Sequence, residues 1–323
     1  MADRYVYTSS LAPYMNGLLE KKRTDGYRYE DEAWHLKKLD DFLLCHAPDA
    51  KTITKETADL WCRKRDTEGN IFLKRRIVVL RQLCIYMTSM GNPAYIPKDL
   101  ASGEKPILYI PTETEIRQFF GILDALTFPA RYTRFSYEYR MLFRLYYCCG
   151  MRLSEARTLK KEHFDIAAGI LTVLSSKGQK DRLVYLPGDG KTMLTDYLAH
   201  MQTVLPDTSY IFPGYDADKP VSGSAIEHTF RLCWSKLPGK DCMTKKPTVH
   251  CLRHAFVVAR MNAWMREDVE LDTMLPYLSS YLGHKTPAET FYYYHMADSA
   301  FTVIREKSKL LENRIPGVMT DET

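Results

Sequence analysis

Residues 248–254 have the sequence TVHCLRH, and residues 281–296 have the sequence YLGHKTPAETFYYYHM. His250 and Arg253 stand three positions apart at a predicted helix start, so their side chains share one face and can bind the same anion. A guanidinium fork suits two oxygens of a phosphate group. The second stretch predicts a helix closed by glycine, then His284, then a short helix over residues 287–295 that carries three tyrosines. Together the two stretches combine phosphate-binding side chains with candidate nucleophiles.

Two further motifs lie upstream. Residues 149–155 read CGMRLSE, in which Gly150 ends a buried helix and Arg152 follows directly. Two β-branched and aliphatic runs, residues 170–174 and 182–186, predict a β-hairpin whose tip is the sequence SSKGQKD. A lysine on such a tip is normally a solvated surface charge, so the hairpin alone assigns no role to Lys177 or Lys180.

In chain order these motifs resemble those of the tyrosine recombinase (phage integrase) family, and within it the mobile-element integrases and transposon recombinases. The family pattern is T-G-x-R-x-S-E, then a hairpin lysine in K-G-x-K-x-R, then H-x-L-R-H, then L-G-H with a tyrosine nine residues later. The resemblance extends from about residue 112 to residue 315. Cys149 replaces the usual threonine and Cys251 a common aspartate. Neither change removes a group that the chemistry uses.

The resemblance implies metal-independent cleavage of DNA through a covalent 3′-phosphotyrosine, with no cofactor. Two arginines would bind the non-bridging oxygens, a lysine would protonate the leaving 5′-oxygen, and two histidines would complete the site by hydrogen bonding and proton handling. The implied catalytic residues are Arg152, Lys177, His250, Arg253, His284 and Tyr293, with Glu155 orienting the arginines and His250. Lys180 is the alternative to Lys177. Tyr292 and Tyr294 project about 100° of helix rotation to either side of Tyr293, so they are expected to pack.

The first ninety residues predict four helices, over residues 10–22, 30–46, 54–66 and 70–90, because apolar residues recur at three- and four-residue spacing. In the resembled family, this region is a core-binding domain that clamps DNA. Two basic clusters interrupt the predicted helices and could lie along a phosphate backbone, although solvated surface is the alternative. The candidate DNA contacts are Arg63, Lys64, Arg65, Lys74, Arg75 and Arg76, together with Lys180.

The expected fold is mainly α with a small antiparallel β-sheet. It comprises a helical core-binding domain (residues 1–91), a proline-containing linker (92–111) and a tyrosine-recombinase catalytic domain (112–323). Catalytic-domain helices are predicted over residues 116–126, 137–148, 155–159, 191–205 and 224–237, with a capping box at Thr112 and Glu115 and with Ser154 as a cap. An amphipathic helix over residues 299–313 would, by the resemblance, dock on a neighbouring subunit of a tetramer on DNA. Folding back onto its own domain is the alternative.

Composition agrees with this interpretation without establishing it. A net charge of +5 suits a polyanionic partner, and the eight cysteines form no C-x-x-C pair that would indicate a metal site. The N-terminus shows no export signal, and no apolar run is long enough to span a membrane. We therefore expect a cytoplasmic, nucleoid-associated protein.

The resulting hypothesis is a site-specific recombinase that binds a double-stranded recombination site and integrates or excises a mobile element. Accessory proteins are possible partners. The alternatives are a type IB topoisomerase, which the helical N-terminal region and short final segment disfavour, resolution of chromosome or plasmid dimers, and a DNA-binding protein without catalysis. Because the sequence starts almost at the first predicted helix, no separate arm-type DNA-binding domain is expected.

Overall fold

The computed structural model describes residues 5–27, 29–98, 108–174, 181–239, 247–284 and 286–294, together with Ala300 and Val303. The chain divides into two compact units, residues 1–106 and residues 107–323. The predicted fold class is confirmed, because these residues are mainly helical and form one three-stranded antiparallel sheet. Within them, no helix is both long and apolar enough to cross a membrane.

The described part of the first unit forms four helices around one apolar core. They are α1 (Ala12–Thr24), α2 (Glu30–His46), α3 (Lys55–Cys62) and α4 (Asn70–Ser89). Each helix contributes fully buried side chains, among them Met15, Leu36, Trp61 and Leu83. The helix predicted over residues 54–66 is shorter than expected, since Thr54 is its N-cap and it ends at Cys62. The basic cluster that follows α3 therefore lies in a loop.

Arg76 explains where α3 stops. Its guanidinium pairs with Glu68 at 2.8 Å and donates to the backbone carbonyls of Trp61 and Arg63, at the carboxyl end of the helix. The Arg76 side chain is only 2% exposed. The prediction that Arg76 contacts DNA is therefore wrong: a buried guanidinium that satisfies two carbonyls and a carboxylate is a structural cap. Of the other candidates in the two clusters, Arg63, Lys64, Arg65 and Arg75 are exposed and Lys74 is half-buried.

The described residues of the second unit form eight α-helices, two short 3-10 helices (Ala130–Tyr132 and Lys161–His163) and the small sheet. The helices are α5 (Glu113–Asp124), α6 (Arg134–Cys148), α7 (Leu153–Arg157), α8 (Gly188–Val204), α9 (Gly223–Trp234), α10 (His250–Arg266), α11 (Leu271–Leu282) and α12 (Pro287–Tyr294). The strands are β1 (Phe164–Asp165), β2 (Ile170–Val173) and β3 (Arg182–Tyr185), hydrogen-bonded in that order. Val173 lies opposite Arg182, which fixes the position of Arg182 at the start of β3. The two-residue β1 was not predicted.

Helix starts in this unit follow local side-chain chemistry. The capping box at Thr112 and Glu115 is present as predicted. Ser154, by contrast, is not the cap of α7, because it lies inside the helix. Arg152 takes the cap position, and the Glu155 carboxylate accepts its backbone N–H at 2.8 Å. Glu155 therefore caps the start of α7 and also contacts the Arg152 side chain.

Helix α10 runs through the centre of the second unit and packs against α6, α11 and α12. Ten of its seventeen residues are buried, so its first turn holds polar residues next to a continuous apolar core. Beyond α12, Ala300 and Val303 are 2% and 1% exposed, and Ala300 belongs to the apolar cluster that includes Phe256, Leu278 and Tyr294. The remainder of the predicted helix over residues 299–313 lies outside the described residues, as do Lys177 and Lys180.

Candidate active site

A cavity of about 290 Å³ opens in the second unit where α7, α10 and α12 meet the end of α11. Five of the six predicted catalytic residues line it, and the sixth, Lys177, lies outside the described residues. The lining residues are Arg152, His250, Arg253, Gly283, His284, Glu289 and Tyr293. Motifs that are more than a hundred residues apart in the chain therefore meet in one place.

Glu155 joins two arginines on one side of this cavity. Its Oε1 accepts from Arg152 Nη1 at 2.7 Å, and its Oε2 accepts from Arg182 Nη2 at 2.6 Å. The Glu155 side chain is 4% exposed, whereas Arg152 retains 17% exposure and lines the cavity. Burying a carboxylate costs free energy unless it is paired, and the two guanidinium groups offset that cost here. Glu155 therefore contacts Arg152 directly, as its predicted orienting role requires, and that role stays a prediction.

Arg253 lies deeper, at 1% exposure. Its Nη1 donates to the carbonyl of Gly150 at 2.6 Å, and its Nη2 donates to the carbonyl of Leu282 at 2.8 Å. Burial, reinforced by the nearby positive charge of Arg152, lowers the pKa of Arg253 to about 9. The guanidinium therefore remains charged at neutral pH, in surroundings that favour an anion beside it.

The carboxyl end of α11 organises all three arginines. The carbonyls of Tyr281, Leu282 and Gly283 accept from Arg182, Arg253 and Arg152 respectively, the last at 2.7 Å. Helix ends carry partial negative charge on their last carbonyls, so guanidinium groups are stabilised there. Gly283 closes the helix at φ +66°, and an added Cβ would lie 3.3 Å from Arg152 Nη1 and Arg182 Cδ. The glycine predicted as a helix stop therefore also leaves space for two arginines.

His284 has a defined tautomer. Its Nε2 lies 2.9 Å from Arg253 Nη2, and because a guanidinium has no acceptor, Nε2 must accept. Its Nδ1 therefore carries the hydrogen and donates to the hydroxyl of buried Thr290 at 2.7 Å. Burial, together with the charges of Arg253 and Arg152, lowers the pKa of His284 to about 3. The imidazole is thus neutral and fixed between Arg253 and α12.

Tyr293 is the tyrosine that faces the cavity. Its ring lies 5.8 Å from that of His284 and stacks on His254 at 4.5 Å. Burial raises the pKa of the Tyr293 phenol, while Arg253 and Arg152 act in the opposite direction. Tyr294 points away, because its hydroxyl donates to the Met265 sulfur in the core. Of the three consecutive tyrosines, Tyr293 lines the cavity and Tyr292 does not.

Two histidines of α10 border the nucleophile candidate. His250 is exposed and lines the cavity, and its ring meets that of His254 edge-on at 4.7 Å. His254 is 5% exposed, and its Nδ1 finds no hydrogen-bond partner among the described residues. Burial, with the nearby His250, lowers the pKa of His254 to about 3, so its stacked ring is neutral. His254 therefore contacts Tyr293 directly, although motif spacing favours His250 as the active-site histidine.

Sequence reasoning assigned no role to three residues of this arrangement: Arg182, Thr290 and His254. Each contacts a residue that was predicted: Arg182 contacts Glu155, Thr290 contacts His284, and His254 contacts Tyr293. Arg182 is the arginine that ends the hairpin motif, so its position in the motif was a usable signal. His254 stands in the H-x-L-R-H motif and was likewise visible. Thr290 carries no such signal, because its role depends on α12 folding back beside the end of α11.

The charge balance of the site suits a phosphodiester. Three guanidinium groups, those of Arg152, Arg182 and Arg253, face two carboxylates, the buried Glu155 and the exposed Glu289, and the imidazoles of His254 and His284 are neutral. A singly charged phosphate is therefore compatible with the remaining positive charge. The described residues contain no cluster of histidine, cysteine, aspartate and glutamate that could hold a metal ion.

Comparison with known proteins identifies the family. The sequence pattern of the phage integrase family matches residues 112–300, more than half of the chain. The protein y4rB of Sinorhizobium fredii, named as an integrase/recombinase, is 26% identical over 92% of this chain and 95% of its own length. The tyrosine recombinase XerC of Lactobacillus delbrueckii subsp. bulgaricus is 31% identical over 51% of this chain and 52% of that protein.

A solved structure supports the fold. The lambda integrase fragment (75–356), solved as a dimer bound to a COC′ core site, superposes with a TM-score of 0.62 at 15% identity, covering 96% of this chain and 99% of that one. At such low identity the superposition shows the fold alone. The family match and the converging motifs, taken together, show that this chain belongs to the phage integrase family and is a tyrosine recombinase, an enzyme that cleaves and rejoins DNA.

Proposed function

We propose that this chain is a site-specific recombinase that integrates or excises a mobile element, and that Tyr293 forms its covalent 3′-phosphotyrosine with DNA. One observation carries the proposal: the single cavity that gathers Arg152, His250, Arg253, His284 and Tyr293. This set contains a nucleophile and two fixed cations, which a metal-independent attack on a phosphodiester requires.

The arginines would bind the scissile phosphate. Arg152 has the greater exposure, and its guanidinium is fixed by Glu155 and by the carbonyl of Gly283. Arg253 is fixed by two carbonyls and by His284, so neither cation must reorganise greatly as charge develops. Donors that are held in place before the reaction stabilise the transition state most effectively.

In the proposed reaction the Tyr293 oxygen attacks phosphorus, the bond from phosphorus to the 5′-oxygen breaks, and a 5′-hydroxyl leaves. Lys177 would supply the proton of that hydroxyl. His250, which lines the cavity, would accept the phenol proton, because His284 is already engaged by Arg253 and Thr290. A second 5′-hydroxyl can then attack the phosphotyrosine, which rejoins the DNA without an external energy source.

Several observations support recombination of mobile DNA over its alternatives. The match to y4rB, named as an integrase/recombinase, extends along nearly the whole chain and thus includes the helical first unit. The exposed basic residues Arg63, Lys64, Arg65 and Arg75 would contact the recombination site, with Lys74 at their edge. We place the reaction in a tetramer on double-stranded DNA of the nucleoid, with accessory proteins where the site demands them.

A nicked suicide substrate tests the assignment of the nucleophile. Tyr293→Phe removes one hydroxyl and should abolish the covalent complex while DNA binding persists. Tyr292→Phe is the matched control, since it removes the same group one position away, and it should still form the complex. Denaturing gels with end-labelled DNA measure both outcomes.

If Tyr293→Phe forms the complex and Tyr292→Phe does not, the nucleophile is Tyr292. A wild-type protein that forms no complex on DNA from its genomic neighbourhood would count against cleavage altogether. Plasmids with two sites separate the remaining functions, because a recombinase yields exchanged products whereas a topoisomerase only relaxes the DNA.

A further inference from the structure

We infer that Arg182 is a positioning residue for the cleavage reaction: by sharing the Glu155 carboxylate, it leaves Arg152 available to the phosphate. This inference rests on the proposed function, in which Arg152 binds the scissile phosphate. Arg182 does not line the cavity and is therefore not a catalytic residue. It would act on the reaction only through the residues that it contacts.

The contacts of Arg182 connect three elements. It starts β3, its Nη2 lies 2.6 Å from Glu155 Oε2 on α7, and its Nη1 donates to the carbonyl of Tyr281 at the end of α11. Its side chain is 7% exposed. Glu155 also holds Arg152, and Tyr281 stands two residues before Gly283, whose carbonyl accepts from Arg152. Arg182 therefore lies behind the phosphate site rather than in it.

Glu155 and the phosphate compete for the guanidinium of Arg152, and Arg182 affects that competition. Glu155 is a buried anion 2.7 Å from Arg152 Nη1, so it competes with an incoming phosphate for the same guanidinium. Arg182 compensates part of the Glu155 charge on the opposite oxygen, and the Arg152 backbone N–H shares that oxygen at 2.8 Å. Without Arg182, the buried carboxylate would depend on Arg152 for its compensation. Arg152 would then be drawn towards Glu155 and away from the phosphate.

The packing of Arg152 and Arg182 also indicates that loss of Arg182 would displace Arg152. An added Cβ at Gly283 would meet both Arg152 Nη1 and Arg182 Cδ at 3.3 Å, so the two arginines pack on the same glycine. The loss of the Arg182 side chain would open space into which Glu155 and Arg152 could rotate. A displacement of about 1 Å at a reacting group can slow an enzyme about 100-fold.

A double-mutant cycle tests whether Arg182 acts through Glu155. Four proteins are compared for the single-turnover rate of covalent-complex formation: wild type, Arg182→Gln, Glu155→Gln and the double variant. Arg182→Gln should slow cleavage by about 100-fold, with half-site binding retained. In the Glu155→Gln background the same change should cost less than about tenfold, because no carboxylate is left to compete for Arg152.

Equal losses in both backgrounds would overturn the inference, since they would show that Arg182 acts independently of Glu155. Arg182→Lys provides a second measurement, because it keeps the charge and should cleave faster than Arg182→Gln. A lysine variant as slow as the glutamine variant would also overturn it. If Arg182→Gln unfolds, Arg182→Lys is compared with wild type in the Glu155 and the Glu155→Gln backgrounds, and an equal loss of rate in both would overturn the inference. Arg231→Gln is the matched control, as Arg231 is exposed on α9 and donates only to its own helix.

The outcomes separate the two proposals. A wild-type protein whose complex vanishes in Tyr293→Phe, but whose Arg182 variants cleave normally, would retain the proposed function and reject the role of Arg182. Absence of the complex in wild type would reject the function before Arg182 is tested.

Discussion

His254 is held in the neutral form between the core and the Tyr293 ring. Burial, with the nearby His250, lowers its pKa from 6.5 to about 3. At pH values between about 3 and 6.5, His254 binds a proton in the unfolded chain but not in the folded chain. The contribution of His254 to the free energy of unfolding should therefore fall as the pH is lowered from about 6.5 towards 3, by about 1.4 kcal/mol per pH unit.

His254→Phe should reduce this pH dependence while keeping an aromatic ring against Tyr293. Phenylalanine binds no proton in either state, so the loss of stability between pH 6 and pH 4 should become shallower. Chemical denaturation at several pH values measures the slope. His228→Phe, at an exposed position on α9, is the matched control. An unchanged slope in His254→Phe would show that His254 is protonated in the folded protein.

At the scale of the element, the turn that ends α11 is the feature most sensitive to substitution. Gly283→Ala would place a Cβ at φ +66°, which costs about 1–2 kcal/mol for an L-residue. The same Cβ would meet Arg152 and Arg182 at 3.3 Å. We therefore expect cleavage to fall by more than the stability loss alone explains. Thermal unfolding and single-turnover cleavage, measured on the same protein, test this expectation.

Gly91→Ala is a suitable control for that substitution. Gly91 also has a positive φ, +82°, but an added Cβ would meet nothing within 4 Å. It should share the loss of stability from backbone strain without the additional loss of cleavage. Equal cleavage by the two variants would show that the turn does not position the arginines.

The sequence predicted helices best where the apolar periodicity and the boundary residues agree. Helix α2 was predicted with its observed bounds, because an apolar stripe runs between clear boundaries. The end of helix α3 was predicted four residues too late, since it is set by Arg76, which is distant in sequence and buried by tertiary packing. The start of α7 was assigned to Ser154 because serine caps helices well, but Glu155 already satisfies the first N–H group.

Motifs likewise predicted the residues of the site but not their connections. The resemblance placed Arg152, Arg253 and Tyr293 in one site, and the cavity that they share agrees with it. It could not indicate that backbone carbonyls of α11 hold the arginines, because a main-chain acceptor leaves no signature in side-chain identity. The contact between Thr290 and His284 depends in the same way on how α12 folds.

At the scale of the whole molecule, the C-terminal segment begins by packing on its own catalytic unit. Ala300 and Val303 are buried, and Ala300 contacts the core formed by α10, α11 and α12. Packing in cis therefore accounts for the start of the segment. Docking on a neighbouring subunit is proposed only for the residues beyond it.

Two truncations separate these roles. Removal of residues 304–323 should leave the protein folded and able to bind a half-site, but should weaken cooperative filling of paired sites. Removal of residues 299–323 should also lower the thermal unfolding midpoint, because it takes buried apolar side chains out of the core. Gel-shift titrations measure cooperativity. Undiminished cooperativity in the shorter deletion would show that the segment does not connect subunits.

The three carbonyls at the end of α11 have a consequence for how this sequence can diverge. The backbone carbonyls at positions 281 and 282 do not depend on which side chain the residue carries, so a substitution there keeps the acceptor, although at the buried Leu282 it costs core packing. An inserted or deleted residue is different, because each residue of a helix adds about 100° of rotation and 1.5 Å of rise. Such a change would turn the carbonyls away from Arg182, Arg253 and Arg152 together. The position of the three arginines should therefore depend more on the length of α11 than on the side chains at positions 281 and 282.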